Sequence, residues 1–318
     1  MTQASPLPTQ TPSAGPAAEL PPSASPPGST GSPEHPALHE VTYTPGSGLR
    51  QPGRLVGEMW GDLFASRGLA WRLIIRNLSA QFRGAALGWA WAFLPPVAAA
   101  GTFILLNATG VIASDPAIGM PYAVFAFVGT ILWQSFVDAI QKPLAVVNAS
   151  RSMLTKINFP REALLLAGIG EVLFNTTIRL LLLVAVLLAF QTPPAWTFPL
   201  ALLGLGTLIL TGTVIGVMLT PIGMLYKDVQ QALTMLLGLL MFLTPVGWAV
   251  PDAGFRSYSA WINPAAAPLL NARSLLITGQ ADYLGQTLIM LGVAGVLTLL
   301  GWLLYRLAMP ILIERIGS

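Results

Sequence analysis

Long runs of apolar residues without a charged side chain fill most of the chain from residue 84 onward. A helix needs about 20 residues to cross the ~30 Å hydrocarbon layer of a membrane. The run from Leu180 to Tyr226 is too long for one crossing, and the segment 191–199 divides it, because its prolines interrupt a helix. This pattern predicts an all-α integral membrane protein. Its six transmembrane helices are expected at about 88–112, 121–141, 163–190, 198–222, 230–250 and 284–307.

Residues 69–83, before the first predicted span, alternate between basic and apolar positions with helical periodicity. Arg72, Arg76 and Arg83 share one side of such a helix, and an apolar arc occupies the opposite side. The apolar arc consists of Ala70, Trp71, Ile74, Ile75, Leu78 and Phe82. We expect this N-terminal amphipathic helix to lie along the cytoplasmic interface of the membrane, with its arginines toward the lipid headgroups.

The segment 257–277 is also apolar, but its uninterrupted runs are too short to cross a membrane. Pro264 and Pro268 break it, and Trp261 is a residue type typical of the membrane interface. The segment is predicted to form a re-entrant or surface hairpin on the outer side, between spans five and six.

Basic residues distinguish the two sides of the predicted membrane domain. They precede span one, occupy the connection between spans two and three, include Lys227 between spans four and five, and follow span six. The connections 113–120 and 191–197 contain none. Cytoplasmic loops carry an excess of Lys and Arg. Both termini are therefore predicted to be cytoplasmic.

Residues 1–54 are rich in proline, serine and glycine and contain hardly any large apolar side chain. Such a segment cannot bury enough apolar surface to offset the entropy of ordering it. It is predicted to be a disordered leader, either an inert tether or a docking tail, and the membrane domain is expected over residues 55–318.

Composition excludes most kinds of chemical site. Cysteine is absent and both histidines, His35 and His39, lie in the leader, so the body has neither thiolate nor imidazole for catalysis or metal binding. Lys142, Lys156 and Lys227 are followed by Pro, Ile and Asp, whereas a Walker-A phosphate loop needs Ser or Thr there. No catalytic residue, metal or cofactor is expected in this chain. The formal net charge of +3 comes from basic residues at membrane edges, so no nucleic-acid partner is expected.

Span three carries a polar stripe, formed by Glu171, Asn175 and Arg179 at spacings of four residues. Ionisable groups cost about 2.5–3.5 kcal/mol each near the membrane centre, so these side chains need a role. They form either a proton or ion relay or a structural stripe buried against a neighbouring span. The structural interpretation is favoured, because a relay usually needs more carboxylates.

Aromatic residues concentrate in or beside spans one, two and five and the outer hairpin. Trp and Tyr at span ends mostly anchor a protein at the membrane interface. Their rings can also stack on sugar rings or lipid tails that pass through a conduit. The candidate conduit residues are Trp89, Trp91, Tyr122, Phe125, Trp133, Phe136, Phe242, Trp248 and Trp261.

Gly84/Gly88 and Gly212/Gly216 have the small-xxx-small spacing that allows two helices to approach closely. The pattern is common in membrane proteins, so it predicts close helix contact and not dimerisation as such.

Four segments together resemble a known family of membrane proteins. The first is 150–161, a short polar and apolar helix followed by a Phe-Pro-Arg stop, and the second is 82–91, which enters span one. The others are Tyr226-Lys-Asp-Val229 after span four and Trp261-Ile-Asn-Pro264 in the outer hairpin. In this order on a six-span frame, they resemble the membrane permeases of type-2 ABC exporters, in the branch that exports polysaccharide, O-antigen, capsule or teichoic acid. The resemblance covers roughly residues 55–318.

The resemblance implies a homodimer of permeases in the bacterial cytoplasmic membrane, bound to two copies of a separate ABC ATPase that holds ATP and Mg. It implies that a coupling segment contacts the ATPase, and that the amphipathic helix, with Arg72, Arg76, Phe82 and Arg83, acts as an interfacial or gate helix. The family often has Asn where this chain has Ser150 or Ser152, so contacts at the start of the coupling segment differ. The implied ATPase-coupling residues are Arg151, Met153, Leu154, Lys156, Phe159, Pro160, Arg161, Tyr226, Lys227 and Asp228.

The implied function is that of a transport subunit, not an enzyme, which moves a lipid-linked polysaccharide across the membrane. Two alternatives remain open at this point: an ABC efflux permease for a drug or small lipid, and an ion-coupled secondary transporter that uses Glu171 and Arg179.

Overall fold

The computed structural model of the chain describes residues 52–83, 93–112, 120–154, 160–250 and 262–317. Residues 1–51 of the predicted leader lie outside these ranges, as do Trp89, Trp91, Lys156, Phe159, Trp261 and the side chain of Phe82. The described residues are helices joined by short connections, with no strand among them. In chain order the helices are α1 (Pro52–Phe82), α2 (Leu94–Ala108), α3 (Tyr122–Ala149), α4 (Arg151–Leu154), α5 (Glu162–Ala189), α6 (Phe198–Leu225), α7 (Asp228–Leu243), α8 (Ala266–Ile277) and α9 (Leu284–Gly317).

Within the described ranges, four helices are long and apolar enough to cross a membrane: α3, α5, α6 and α9. They correspond to predicted spans two, three, four and six, although α3 and α9 both continue beyond the predicted ends. A helix satisfies its backbone hydrogen bonds internally, as a segment inside lipid must, so these long apolar helices indicate a multi-pass membrane protein.

The two remaining predicted spans coincide with shorter helices. Helix α2 has 15 residues and α7 has 16, fewer than the ~20 that a perpendicular crossing needs. The predicted span 230–250 is too long, because α7 ends at Leu243 and Thr244 is extended. Pro245 follows, and a residue before proline avoids the helical conformation. A pattern of six crossings stays a prediction.

Helix α1 is twice as long as the amphipathic segment predicted at 69–83, because it begins at Pro52, whose missing N–H costs nothing in the first turn of a helix. It packs against α5, and Ala70 and Leu73 are buried in a core cluster that includes residues of α5. The hairpin predicted at 257–277 is described only from Ile262 onward, and its residues from Ala266 to Ile277 form α8.

Helix α3 lies at the centre of the bundle and packs against α2, α5, α6, α7 and α8. Small residues let α6 approach it closely: a Cβ on Gly212 would lie 2.8 Å from the Ala139 Cβ and 2.9 Å from the Phe136 carbonyl oxygen. A Cβ on Gly216, one turn further, would collide with the carbonyl of Ile140. The predicted close contact at Gly212 and Gly216 therefore joins two helices of the same subunit.

Candidate functional site

The short helix α4 is attached to the end of α6 by Arg151. The Arg151 guanidinium donates from Nη2 to the carbonyl oxygen of Gly223 at 3.1 Å and also to that of Met224. Its Nε donates to Asn148 Oδ1 at 3.1 Å. The last carbonyls of a helix lack intrahelical partners and carry partial negative charge, so a cation is favoured there. Arg151 thus brings the connections after α3 and after α6 together at one corner of the bundle.

The residues of this corner are exposed or half-buried. Tyr226 is 61% exposed, Lys227 and Asp228 are also exposed, and Met153 is half-buried. We call Arg151, Met153, Tyr226, Lys227 and Asp228 the coupling corner. It presents an aromatic ring, a cation and an anion to the surroundings of the subunit.

Leu154 was predicted with the coupling residues, but only 6% of it is exposed. It packs into a core cluster with residues of α1, α5 and α9, among them Leu73, Leu164 and Met309. Its side chain holds α4 against the bundle. So short a helix is not stable by itself and is stabilised mainly by the tertiary packing of its apolar side chains.

The far end of the same connection is held by α9. The Tyr305 hydroxyl donates to the carbonyl oxygen of Arg161 at 3.2 Å. Arg306 Nη2 lies 2.7 Å from Asp62 Oδ2, and its Nη1 lies 3.6 Å from Glu162 Oε1. Pro160, next to Arg161, is exposed. The start of α5 is therefore attached to α9, and through Arg306 also to Asp62 of α1.

Each ionisable residue of the predicted polar stripe is paired with a residue of α3. Arg179 Nη2 lies 2.9 Å from Asp138 Oδ2, and Asn175 Nδ2 donates to the same oxygen at 3.1 Å. Glu171 Oε2 lies 3.2 Å from Lys142 Nζ, and Glu171 Oε1 accepts from Asn77 Nδ2 of α1 at 2.7 Å. The stripe is thus buried against a neighbouring helix.

Asp138 and Lys142 are the partners that sequence reasoning missed. Their signal was present: two opposite charges four residues apart near the end of predicted span two, the same spacing as in the stripe itself. In the described ranges, no three His, Cys, Asp or Glu side chains lie close enough to hold a metal ion.

Helix α1 exposes aromatic and basic residues on two adjoining sides. Trp60, Phe64, Trp71 and Ile75 are exposed large apolar side chains. Arg72, Arg76 and Arg83 are exposed as well. The predicted apolar arc therefore divides, since Ala70 is buried while Trp71 and Ile75 are exposed.

The predicted conduit residues lie in three different places. Trp133 and Phe136 are enclosed in the core, with ring centroids 5.3 Å apart. Phe242 is 52% exposed beside Phe103 on α2. Tyr122, Phe125 and the half-buried Trp248 lie where α3 begins and α7 has ended. A role for these residues in a conduit stays a prediction.

Arg273 of α8 organises the irregular backbone that follows α7. Its Nη1 donates to the carbonyl oxygens of Pro245 at 2.9 Å and Val246 at 3.1 Å, and its guanidinium carbon lies 4.1 Å from the centroid of the Phe125 ring. The Tyr122 hydroxyl donates to the Gly247 carbonyl oxygen at 2.6 Å. Burial lowers the pKa of Arg273 to about 10, so the side chain keeps its charge at neutral pH.

A search for protein families found no family model that matches the chain. The chain is similar to the O-antigen export system permease protein RfbA of Myxococcus xanthus, with 29% identity over 220 residues. The matched region covers 67% of this chain and 82% of the relative. Together with the four helices of membrane-spanning length, this similarity confirms the predicted resemblance to the permease subunits of polysaccharide-exporting type-2 ABC exporters.

Proposed function

We propose that the chain is the permease subunit of an ATP-driven exporter that moves a lipid-linked polysaccharide across the bacterial cytoplasmic membrane. Two permeases would form the conduit, and two copies of an ABC ATPase would bind ATP and Mg and supply the free energy. The observation that carries this proposal is the similarity to an O-antigen export permease over two thirds of the chain. The absence of a Walker-A lysine motif from the sequence supports a separate ATPase.

The coupling corner is the surface that we assign to the ATPase. Its exposed members, Tyr226, Lys227 and Asp228, and the half-buried Met153 offer both apolar area and charge to a partner. Arg151 ties this surface to the end of α6, and Leu154 ties it to the core. A displacement of the corner would therefore act on α3, α5 and α6 together. The contact with the ATPase would extend along the connection between α4 and α5, to Lys156, Phe159, Pro160 and Arg161.

Helix α1 would lie at the cytoplasmic face, with both termini of the chain on that side. Trp60, Phe64 and Trp71 would enter the interfacial region of the bilayer, where aromatic rings are favoured, and Arg72 and Arg76 would reach the headgroups. The opposite end of the bundle, with Tyr122, Phe125 and Trp248, would then face the outer side, as would the hairpin that ends in α8. Helices α2 and α7 would complete six crossings together with the residues that adjoin them.

Vesicles that contain the permease together with its ATPase test the proposal directly. We expect ATP-dependent movement of a lipid-linked polysaccharide, and neither transport nor ATP hydrolysis by the permease alone. Transport by the permease alone, driven by an ion gradient and abolished by an uncoupler, would contradict the proposal and support the secondary-transporter alternative. A cell that lacks the protein should lose its surface glycan; loss of drug efflux with an intact glycan would support the efflux alternative.

Replacing Tyr226 with alanine is expected to weaken ATPase binding by about 2 kcal/mol, roughly thirtyfold, because aromatic anchors dominate the energetics of many interfaces. The dissociation constant of the purified subunits in detergent measures this change. Trp196→Ala is the matched control, since Trp196 is 90% exposed in the connection between α5 and α6, at the other end of both helices. If Tyr226→Ala and the wild type bound the ATPase with equal affinity, the ATPase contact would not lie at the coupling corner.

Leu154→Asp is not a suitable probe of this contact. It would place a charge in the core cluster around α4, so a loss of export would accompany a loss of stability.

A further inference from the structure

Helices α3 and α5 run in opposite directions and carry a matched set of charges along their contact. On α3, Asp138 precedes Lys142 by one turn; on α5, Glu171 precedes Asn175 and Arg179 by one and two turns. The antiparallel arrangement pairs Asp138 with Arg179 and Lys142 with Glu171. We call these five residues the register lock.

The order of the charges disfavours a slip of one helix past the other. A slip of two turns in one direction would bring Asp138 opposite Glu171, two carboxylates. A slip of two turns in the other direction would bring Lys142 opposite Arg179, two cations. Both alternatives separate opposite charges and bring like charges together in surroundings of low dielectric constant, where the repulsion is weakly screened.

Stability alone does not account for these charges. The side chains of Glu171 and Arg179 are only 6% and 8% exposed. Arg179 Nε and Nη1 and Asn175 Oδ1 are buried without a hydrogen-bond partner. Apolar residues of similar size at such positions are often at least as stabilising as a buried ion pair, whereas paired charges specify a single arrangement.

The register lock lies on the two helices that flank α4. Helix α3 leads into α4, and α5 begins just after the connection that follows α4, so α4 lies in the chain between the two helices that the lock joins. Helix α1 joins the same network, because Asn77 donates to Glu171 and accepts from Arg76 at 3.2 Å.

We infer that the register lock makes α3, α4 and α5 move as one rigid unit, so that a displacement at the coupling corner reaches the opposite end of the bundle. Asp138 and Arg179 are positioning residues in this scheme, since they act through the helices that they hold in register. Without the lock, α3 and α5 would slide past each other and absorb part of the displacement. This inference rests on the proposed function.

The test measures polymer exported per ATP hydrolysed by the permease–ATPase complex in vesicles. Asp138→Asn and Arg179→Gln should each lower this ratio between about twofold and thirtyfold, the range in which substitutions along a coupling network act, while ATP hydrolysis continues. The exchange Asp138→Arg with Arg179→Asp should restore most of the ratio. Thr177→Val is the matched control, because Thr177 is exposed on α5 and faces away from the lock.

A second pair keeps the test decisive if a single variant fails to assemble. Lys142→Gln with Glu171→Gln neutralises the other ion pair, where Lys142 is partly exposed, and should lower the ratio in the same way. Unchanged ratios in the variants that assemble, or no recovery on charge exchange, would overturn the inference alone. A wild-type complex that hydrolyses ATP but exports no polymer would overturn the proposed function, and the inference with it.

Discussion

Replacing Arg273 with alanine is expected to destabilise the protein by about 3 kcal/mol or more. The substitution removes the donor that satisfies the buried carbonyls of Pro245 and Val246, and an unsatisfied buried polar group costs about 1–3 kcal/mol. It also removes the cation from the face of the Phe125 ring, a contact that contributes about 0.5–2 kcal/mol. The thermal midpoint of the detergent-solubilised protein should fall by roughly 6–12 °C.

Two further variants identify the cause. Arg273→Lys keeps the charge but lacks the planar fork of donors, so its midpoint should lie between those of the wild type and Arg273→Ala. Arg72→Ala removes an exposed arginine and should leave the midpoint nearly unchanged. A similar midpoint for Arg273→Ala and Arg72→Ala would show that the backbone after α7 does not depend on this side chain.

Replacing Gly216 with valine is expected to have an effect of similar size, about 3 kcal/mol, by forcing α6 away from α3. Even a Cβ at Gly216 would collide with the carbonyl of Ile140, and backbone atoms at a helix contact cannot move as a flexible side chain can. Overpacking of a well-packed interior typically costs about 1–3 kcal/mol, occasionally more. A lower thermal midpoint and a lower yield of folded protein on size-exclusion chromatography would reveal the change.

Gly206→Val is the matched control for Gly216→Val. Gly206 lies on the same helix, is exposed, and a Cβ there would meet nothing within 4 Å. Its substitution changes helix propensity and side-chain volume in the same way without touching α3. If both variants lost equal stability, the close approach of α6 to α3 would not be the cause.

Several features could be predicted from the sequence because they depend on local pattern alone. The apolar runs specify helices α3, α5, α6 and α9, since only a helix satisfies its backbone in lipid. The spacing of Glu171, Asn175 and Arg179 specifies a common face. The motifs after spans two and four pointed to the polysaccharide-export permeases, and the similarity to RfbA agrees with them.

Other features depend on residues far apart in the chain, which no local pattern brings together. Leu154 and Met153 are adjacent in sequence, yet one is buried and the other half-buried, because the packing of α1, α5 and α9 determines which side of α4 is covered. Helix α7 ends at Leu243 because Pro245 follows. The backbone after this end is stabilised by hydrogen bonds from Arg273, which lies 28 residues after Pro245 in the chain.

The sequence by itself determined the class of protein, the long helices and the resemblance to export permeases, because hydropathy, helix periodicity and short motifs are properties of contiguous residues. Only the tertiary structure decided that the stripe on α5 meets Asp138 and Lys142, that Arg151 joins α4 to α6, and that Gly212 and Gly216 serve a contact within one subunit. These outcomes depend on the register and direction in which separate helices pack, and the free energy of that packing is set by pairs of residues that the chain order leaves far apart.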